Sequence, residues 1–309
     1  GLSIGAALHR IRPASMLRNA VKEGSMHMVH NFAAVCHMIK IKHSIFALPF
    51  AYAGAFLAAK GMPDIGTLIL LTVAMVAVRS FAMAINRVAD LPYDRKNPRT
   101  AKWPLVTGEI TPWQTWRFAG VTAALFVFCC AAINSACLAL APLALAASFI
   151  YSYTKRVTWL CHFALGAVIG LAPIAGWLSV SPSFALPPLL LGLAVLFWIA
   201  GFDILYSCQD LAFDTLEGLH SLPVRFGLQG AMLVSGFSHV NTVIFLFLAG
   251  LACSLSFGWY VALAASAGIL WWEHHIVGPD DLDRIRFAFA LNGPVSVLLF
   301  LGTLMGVFL

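Results

Sequence analysis

The stretch "VTWLCHFALGAVIGLAPIAGWLSVSPSFALPPLLLGLAVLFWIAGF", residues 157–202, contains no Asp, Glu, Lys or Arg. It is about twice the length of a transmembrane helix, which needs ~20 apolar residues. Near its middle, the Ser- and Pro-containing segment 179–188 is a natural place for the chain to turn. The stretch therefore predicts two successive transmembrane helices.

The rest of the chain repeats this pattern. Two further uncharged tracts are about two spans long, each with a turn signal: 118–154, turning at 134–135, and 226–272, turning at 252–258. Three tracts account for one helix each: 43–59, 65–86 and 287–309. The first is short by itself and is expected to begin earlier, through 32–39, and the second is broken only by Arg79. The sequence thus predicts an all-α polytopic membrane protein with nine transmembrane helices.

The composition supports a membrane protein and excludes an ordinary soluble domain. Hydrophobic residues make up 61% of the chain and charged residues only 10%, against about 45–50% and 25% in soluble domains. We expect residues 38–309 to form a single domain around a central cavity. Residues 1–37, which carry several Arg and Lys, are expected to be a basic arm, partly amphipathic or disordered, on the membrane surface.

The distribution of positive charge predicts the orientation, because cytoplasmic loops carry the excess of Lys and Arg. With nine spans and a cytoplasmic N-terminus, Lys60 is the one base of the 19 that falls in an outer loop. This predicts a protein of the inner, cytoplasmic membrane. The net charge of +6 then suits membrane lipid headgroups or an anionic substrate, and it does not indicate nucleic acid.

Two acidic clusters stand at the cytoplasmic ends of the second and sixth predicted helices: Asn86, Asp90 and Asp94, then Asp203, Asp210 and Asp214. Any single acid there is explained by solvation of a helix end. Spacings of four and seven, however, place side chains on one helix face, where carboxylates repel each other. Paired carboxylates are hard ligands that suit Mg²⁺, which binds one or two of them together with substrate phosphates. The clusters therefore predict a magnesium site.

Basic residues accompany both clusters. Arg79 precedes Asn86 by seven residues and shares its helix face inside the membrane, where a charge indicates function. Positive-inside bias explains some of the others, which are Arg95, Lys96, Arg99, Lys102, Lys155 and Arg156. Acids for a metal and bases for oxyanions, next to a large apolar interior, indicate a diphosphate with a lipid tail.

These motifs resemble those of the UbiA-type intramembrane prenyltransferase superfamily. Its NxxxDxxxD motif reads Asn86-RVA-Asp90-LPY-Asp94 here, and its DxxxD motif reads Asp210-LAF-Asp214. The resemblance extends from about Lys40 to the C-terminus and includes "RSFAMAIN", "YSYTKRVT" and "GLHSLPVRFG". Within the superfamily, the chain is most similar to the 4-hydroxybenzoate polyprenyltransferases and to relatives that act on a naphthoate in the futalosine route to menaquinone.

The resemblance implies an activity. It is the Mg²⁺-dependent transfer of a polyprenyl group from polyprenyl diphosphate to an aromatic acid, in ubiquinone or menaquinone biosynthesis. The acceptor is either 4-hydroxybenzoate or a dihydroxynaphthoate, and no residue decides between them. The implied catalytic residues are Asn86, Asp90, Asp94, Asp210 and Asp214, of which the four aspartates hold the Mg²⁺.

The resemblance also implies substrate-binding residues. Lys42, Arg99 and Lys155 are the candidates for contact with the diphosphate. Arg79 is the candidate for a carboxylate on the acceptor. Asp203 and Tyr206 are candidates for orienting its phenol or enol, and Tyr151, in "YSYTKRVT", is a further substrate-binding candidate.

The sequence departs from the family pattern in two places. Trp103 stands before Pro-Leu, where the family often has an Arg, so one phosphate contact is expected to be missing or supplied by Lys102. Pro92 lies between two motif aspartates, and its ring would clash with the carbonyl of Val88 in a regular helix. We therefore expect Asp94 to lie on a kinked or unwound segment.

A secondary transporter of an anionic substrate is the alternative function. Transporters place ionisable groups and broken helices near the bilayer midplane. Here the acids cluster at helix ends, and Arg79 is the one clearly intramembrane charge. A purely structural subunit leaves the paired aspartates unexplained.

Overall fold

The computed structural model describes residues 47–279 and 281–309, and within these ranges it is helical and contains no β-strand. The described residues include nine helices of twelve residues or more: α1 (Leu48–Ala59), α2 (Ile65–Asp94), α3 (Pro112–Ile133), α4 (Ser135–Thr154), α5 (Cys161–Val180), α6 (Leu186–Ser207), α7 (Leu222–Ala252), α8 (Phe257–Ile276) and α9 (Ile285–Phe308). Shorter helical segments are Pro104–Thr107, Cys208–Asp210, Leu211–Leu216 and Leu282–Arg284. The predicted arm 1–37 and Lys42 lie outside the described residues.

Seven of these helices are long and apolar enough to cross a membrane, namely all except α1 and α8. The α1 helix is apolar but has only 12 described residues, and its predicted beginning lies outside the described range. The predicted all-α, multi-pass architecture is confirmed, whereas the count of nine transmembrane helices stays a prediction.

The predicted turns fall where helices end, and side chains cap the new helices. Asn134 separates α3 from α4, and its side chain accepts a hydrogen bond from the Cys137 N–H at 2.9 Å. Thr111 and Gln114 form a reciprocal capping box at the start of α3. Each cap satisfies amide groups that the first turn of a helix leaves unpaired.

Helix α5 packs closely against α1 and α6 through small residues. A Cβ atom built on Gly176 would lie 1.8 Å from the carbonyl oxygen of Ala51 in α1. One built on Gly166 would lie 2.3 Å from the carbonyl oxygen of Leu196 in α6. Lipid tails provide no hydrophobic drive for helices to associate, so close backbone packing of this kind stabilises a helix bundle in a membrane.

Helix α6 is anchored at its centre by Trp198. The indole is 1% exposed, packs 5.1 Å from the Phe50 ring of α1, and donates to Asn292 Oδ1 of α9 at 2.7 Å. Asn292 in turn donates to Glu273 Oε1 of α8 at 3.1 Å. These contacts fix α6, and with it the end that carries the second acidic cluster.

Of the two alternatives at Pro92, the unwound segment is wrong, because α2 continues through Pro92 and ends at Asp94, and the kink stays a prediction. The proline removes one N–H close to the helix end. The helical bond from the Arg95 N–H to the Leu91 carbonyl, at the end of α2, is present at 3.2 Å.

The second cluster does not lie on one regular helix face, as its spacing had suggested. Helix α6 ends at Ser207, and a 3₁₀ turn, Cys208–Asp210, leads into the short helix Leu211–Leu216. Such tightening is common in the last turn of a helix. Asp203, Asp210 and Asp214 therefore belong to three different segments.

Candidate active site

A cavity of about 920 Å³ lies among the helices, lined by residues of α1 to α6 and α9. Every predicted site residue within the described ranges lines it: Arg79, Asn86, Asp90, Asp94, Arg99, Tyr151, Lys155, Asp203, Tyr206, Asp210 and Asp214. The structure thus brings together eleven residues from three separate stretches of the chain, 79–99, 151–155 and 203–214. We refer to the part of the cavity around Asp90, Asp94, Asp210 and Asp214 as the mouth.

The first motif contributes an amide, two carboxylates and a buried arginine to the mouth. Asn86 Nδ2 donates to Asp90 Oδ2 at 2.9 Å, and Arg87 Nη1 lies 3.9 Å from Asp94 Oδ2. The Arg87 guanidinium lies over the Trp103 ring, 3.8 Å from its centroid. A stacked guanidinium is held in a fixed direction, so Trp103 positions Arg87 at the mouth.

This contact places a base beside Trp103, and the expectation that Lys102 supplies a phosphate contact stays a prediction. Lys102 is exposed, whereas the cavity wall includes Trp103 and Arg87. The base nearest the tryptophan that departs from the family pattern is therefore Arg87, which the sequence reasoning did not select.

The second motif is bound by the segment that follows the first. Arg99 Nε and Nη2 donate to the two carboxylate oxygens of Asp210 at 3.1 and 2.8 Å. Its Nη1 donates to the Tyr206 hydroxyl at 3.3 Å. The Asn97 side chain accepts from the Arg99 backbone N–H at 2.9 Å and so shapes the turn. A two-point Arg–carboxylate contact is specific in geometry as well as strong.

Two adjacent bases after α4 contact opposite motifs. Lys155 Nζ lies 2.8 Å from Oδ1 of Asp214, whose side chain is 1% exposed. Arg156 Nη2 lies 3.8 Å from Asp90 Oδ1 and donates to the carbonyl of Ala89. Neighbouring residues cannot reach both motifs unless the motifs lie close to each other. The two motifs therefore face each other across the mouth.

Lys155 is a permanent cation in this setting. Burial lowers the pKa of Lys155, but the attraction of Asp214, and of Asp210 beyond it, raises the pKa further than burial lowers it. The net pKa lies above the ordinary value of a lysine, so the ammonium stays charged at neutral pH. A fixed positive charge at the mouth is suited to a phosphate oxygen.

The mouth fits a hard cation only if a ligand supplies some of its oxygens. Among residues 47–279 and 281–309, no three His, Cys, Asp or Glu side chains converge into a metal cluster. Both oxygens of the Asp214 carboxylate are buried, and Lys155 is the base that pairs with it. Mg²⁺ is commonly held by one or two carboxylates plus substrate phosphates, and the four aspartates fit that donor set.

A second polar group lies deeper in the cavity, and we refer to Arg79, Tyr151 and Asp203 as the inner group. Arg79 precedes Asn86 by seven positions on α2, which along a helix is about 10 Å, and Asp203 lies in α6, seven positions before Asp210. Arg79 Nε is buried and has no hydrogen-bond partner among the described residues. Tyr151 of α4 is close enough to both Arg79 and Asp203 to interact with them electrostatically.

Arg87 and His162 line the cavity and were not named by the sequence reasoning, whereas Arg156 was named there among the bases but was not chosen as a site residue. The two arginines had a usable signal, since each adjoins a predicted site residue. His162, whose Nδ1 lies 2.7 Å from Asp203 Oδ2, had none. A single histidine in an apolar tract looks the same whether it is a packed core residue or part of a site.

Comparisons with known proteins identify the family to which the chain belongs. The UbiA prenyltransferase family matches residues 47–304. A 4-hydroxybenzoate octaprenyltransferase of Sodalis glossinidius is 29% identical over 276 residues, covering 88% of this chain and 94% of that protein. A similar enzyme of Klebsiella pneumoniae, with the same name, is 28% identical and covers 81% of this chain and 86% of that protein.

Solved structures share the fold. The apo structure of a UbiA homologue from Aeropyrum pernix is 34% identical, with a TM-score of 0.78, and covers 85% of this chain and 97% of that one. A UbiA homologue from Archaeoglobus fulgidus, bound to GPP and Mg²⁺, has a TM-score of 0.66 at 20% identity, covering 89% of this chain and 100% of that one.

Proposed function

The chain belongs to the UbiA prenyltransferase family, and from this premise we propose that it transfers a polyprenyl group from a polyprenyl diphosphate to an aromatic acid. That the chain is a prenyltransferase follows from the family and from its similarity to named prenyltransferases. The identity of the donor and the acceptor, and the roles of individual residues, are the proposal.

The contacts of Lys155 and Arg156 with opposite motifs carry this proposal. They place positive side chains between two pairs of carboxylates. Arg87 and Arg99 add two more cations at the same mouth. A diphosphate is an anion with several oxygens, and this arrangement can bind it from both sides. Lys42, outside the described residues, is proposed as a further contact.

The aspartates of both motifs would hold Mg²⁺ together with the diphosphate oxygens. Bound there, the metal would neutralise negative charge that develops on the leaving diphosphate. The bases of the mouth stabilise the same charge, which is the usual way in which a preorganised site lowers such a barrier. Asn86 orients Asp90 through the hydrogen bond between their side chains.

The apolar part of the cavity suits the prenyl chain. Its walls below the mouth are formed by aliphatic and aromatic side chains from several helices: Met75, Val78, Phe126, Leu165, Val168, Ile169 and Leu171. Breaking the allylic C–O bond leaves an allylic cation that water would destroy. Walls of this kind exclude water from it while the ring carbon of the acceptor attacks.

The inner group is proposed to bind the acceptor. Arg79 offers a buried guanidinium for a carboxylate, and Asp203 offers an oxygen for a hydroxyl group. Together with Tyr151, which interacts electrostatically with both, they suit a small ring with an acid at one end and a hydroxyl at the other. We propose 4-hydroxybenzoate as the first acceptor to test, within ubiquinone biosynthesis, and a dihydroxynaphthoate of menaquinone biosynthesis as the second.

The proposed setting is a cytoplasmic inner membrane, with the N-terminus and both motifs on the cytoplasmic side. Membership of a prenyltransferase family favours this activity over a secondary transporter.

The test is a reconstituted reaction. Protein in lipid nanodiscs is incubated with Mg²⁺, a polyprenyl diphosphate and one aromatic acid at a time, and diphosphate release and product mass are measured. We expect release of diphosphate together with a product equal to the acceptor plus the prenyl group less one hydrogen, and loss of both on chelation of Mg²⁺. The absence of a prenylated product with every hydroxylated benzoate and naphthoate would overturn the proposed acceptor class.

A further inference from the structure

His162 connects the inner group to two other helices. It lies in the first turn of α5 and is 2% exposed. Its Nδ1 lies 2.7 Å from Asp203 Oδ2 of α6. Its Nε2 accepts a hydrogen bond from the backbone N–H of Leu222, the first residue of α7, at 3.4 Å. One buried ring thus has polar partners on both nitrogens, in two different helices.

The contact with Leu222 determines which nitrogen carries the proton. A neutral imidazole has one donor nitrogen and one acceptor nitrogen. A backbone N–H can only donate, so Nε2 is the acceptor and Nδ1 is the donor. The hydrogen bond therefore runs from His162 to the Asp203 carboxylate, as in sites where a second residue orients a reactive group.

Asp203 is held by this bond and still open to the cavity. About 30% of its side chain is exposed, and it lies on the cavity wall. A carboxylate bound through one oxygen keeps acceptor capacity for a ligand on its remaining lone pairs. Such a carboxylate suits a ligand group that donates a hydrogen bond, such as a hydroxyl.

We propose that His162 is a positioning residue, which orients Asp203 to accept the hydrogen bond of the hydroxyl group on the aromatic acceptor. This inference rests on the proposed function and assigns a chemical preference to the same site. A hydrogen bond from a phenol to a carboxylate increases the electron density of the ring, which favours attack by the ring carbon. The pair of His162 and Asp203 also favours hydroxylated rings over their methyl ethers. An ether oxygen cannot donate a hydrogen bond, so it would leave the Asp203 oxygen without a partner from the ligand.

The test compares substitutions that remove or retain the donor. His162→Leu removes it, whereas His162→Asn keeps an N–H near the place of Nδ1. Asp203→Asn removes the carboxylate charge at nearly constant shape. His275→Leu is the matched control, because His275 stacks on Trp271 outside the cavity wall. For each variant, the KM for 4-hydroxybenzoate, the inhibition constant of 4-methoxybenzoate and the KM for the donor are measured.

We expect His162→Leu and Asp203→Asn to raise the KM for 4-hydroxybenzoate about tenfold, the usual effect of losing a hydrogen bond to a charged group. The inhibition constant of the methyl ether and the KM for the donor should stay within about twofold, and His162→Asn should recover most of the loss. His275→Leu should behave as the wild type.

A purely structural role of His162 gives a different pattern. Both KM values and the methyl ether constant would then shift together, or His162→Asn would be as impaired as His162→Leu, and either result would overturn the inference. If His162→Leu does not fold, the same two KM values and the same inhibition constant, measured for Asp203→Asn and His162→Asn, test the inference. A wild-type protein that prenylates no aromatic acid contradicts the proposed function instead, so the two failures are distinguishable.

Discussion

The two aspartate motifs face the same mouth but are built on different backbones. The first lies on the last turns of one 30-residue helix, α2, and its carboxylates have bases at 3.8 and 3.9 Å. The second is divided between a 3₁₀ turn and a short helix, and both of its carboxylates have bases at 2.8 Å. The first motif thus lies on a regular helix with the longer of these ion-pair distances, and the second on an irregular segment with the shorter ones.

The most and least exposed of the four aspartates divide in the same way, while Asp94 and Asp210 are alike at 14% and 12%. The side chain of Asp90 is 35% exposed, whereas that of Asp214 is 1% exposed. A regular helix fixes the directions in which its side chains leave the backbone, whereas ion pairs contribute more to fixing an irregular segment. We therefore expect Lys155 and Arg99 to maintain the structure of the second motif as well as to bind the substrate, and the first motif to depend less on its bases.

The largest expected effect comes from removing a carboxylate from either motif. Asp90→Ala and Asp210→Ala should each lower kcat by about 100-fold or more, because each removes a ligand for Mg²⁺ and disturbs the stabilisation of the leaving group. Diphosphate release measures this directly. Asp64→Ala, which removes the exposed cap at the far end of α2, is the control. Full activity in either motif variant would contradict the metal assignment.

Removal of Lys155 tests the structural part of the comparison. Lys155→Met leaves the Asp214 carboxylate buried without its partner, which should destabilise the protein by about 2 kcal/mol, since the lysine itself is partly solvated. The second change, Asp214→Leu, should restore the melting temperature of Lys155→Met but not its activity. Thermal unfolding in detergent measures the stability.

The control is Lys96→Met, which removes an equally short ion pair, to Glu217 at 2.7 Å, but from a side chain that is 61% exposed. An exposed pair contributes less than about 1 kcal/mol. Equal losses of stability in the two methionine variants would show that the pair at Asp214 does not maintain the second motif.

The apolar helices could be predicted from the sequence because each membrane helix corresponds to one continuous run of uncharged residues. The turns at 134–135 and 252–258 coincide with helix ends for the same reason. The motif aspartates could also be chosen as site residues, because the members of each motif lie only four residues apart in the sequence.

The contacts that complete the site could not be predicted, because they join distant parts of the chain. Nothing in the neighbourhood of His162 indicates Asp203, which lies in another helix, and nothing near Trp103 indicates that it stacks with Arg87. The break after Ser207 was missed as well. That segment contains neither Gly nor Pro, so no residue marks the place where the helix tightens.

The bases of the two motifs should differ in their sensitivity to a conservative change. Arg99→Lys loses the two-point contact with Asp210, because an ammonium cannot reproduce the planar fork, and should raise the KM for the polyprenyl diphosphate about tenfold. Arg156→Lys keeps a charge near Asp90, where the arginine contact is already long, and should raise it about threefold or less. Initial rates at saturating acceptor give both KM values. A larger rise in KM for Arg156→Lys than for Arg99→Lys would contradict the proposed difference between the two motifs.

The smallest expected effect concerns Pro92, in the last turn of α2. Pro92→Ala restores one N–H to the helix, which stabilises it, but also increases the freedom of the unfolded chain, which opposes the gain. The free energy of unfolding should therefore change by no more than about 1 kcal/mol. Because α2 already continues to Asp94 with the proline in place, Asp94 does not need Pro92 to reach the mouth, and kcat should stay within about twofold. A fall of tenfold with unchanged stability would mean that the proline positions Asp94, and that the first motif depends on a local backbone irregularity as the second does.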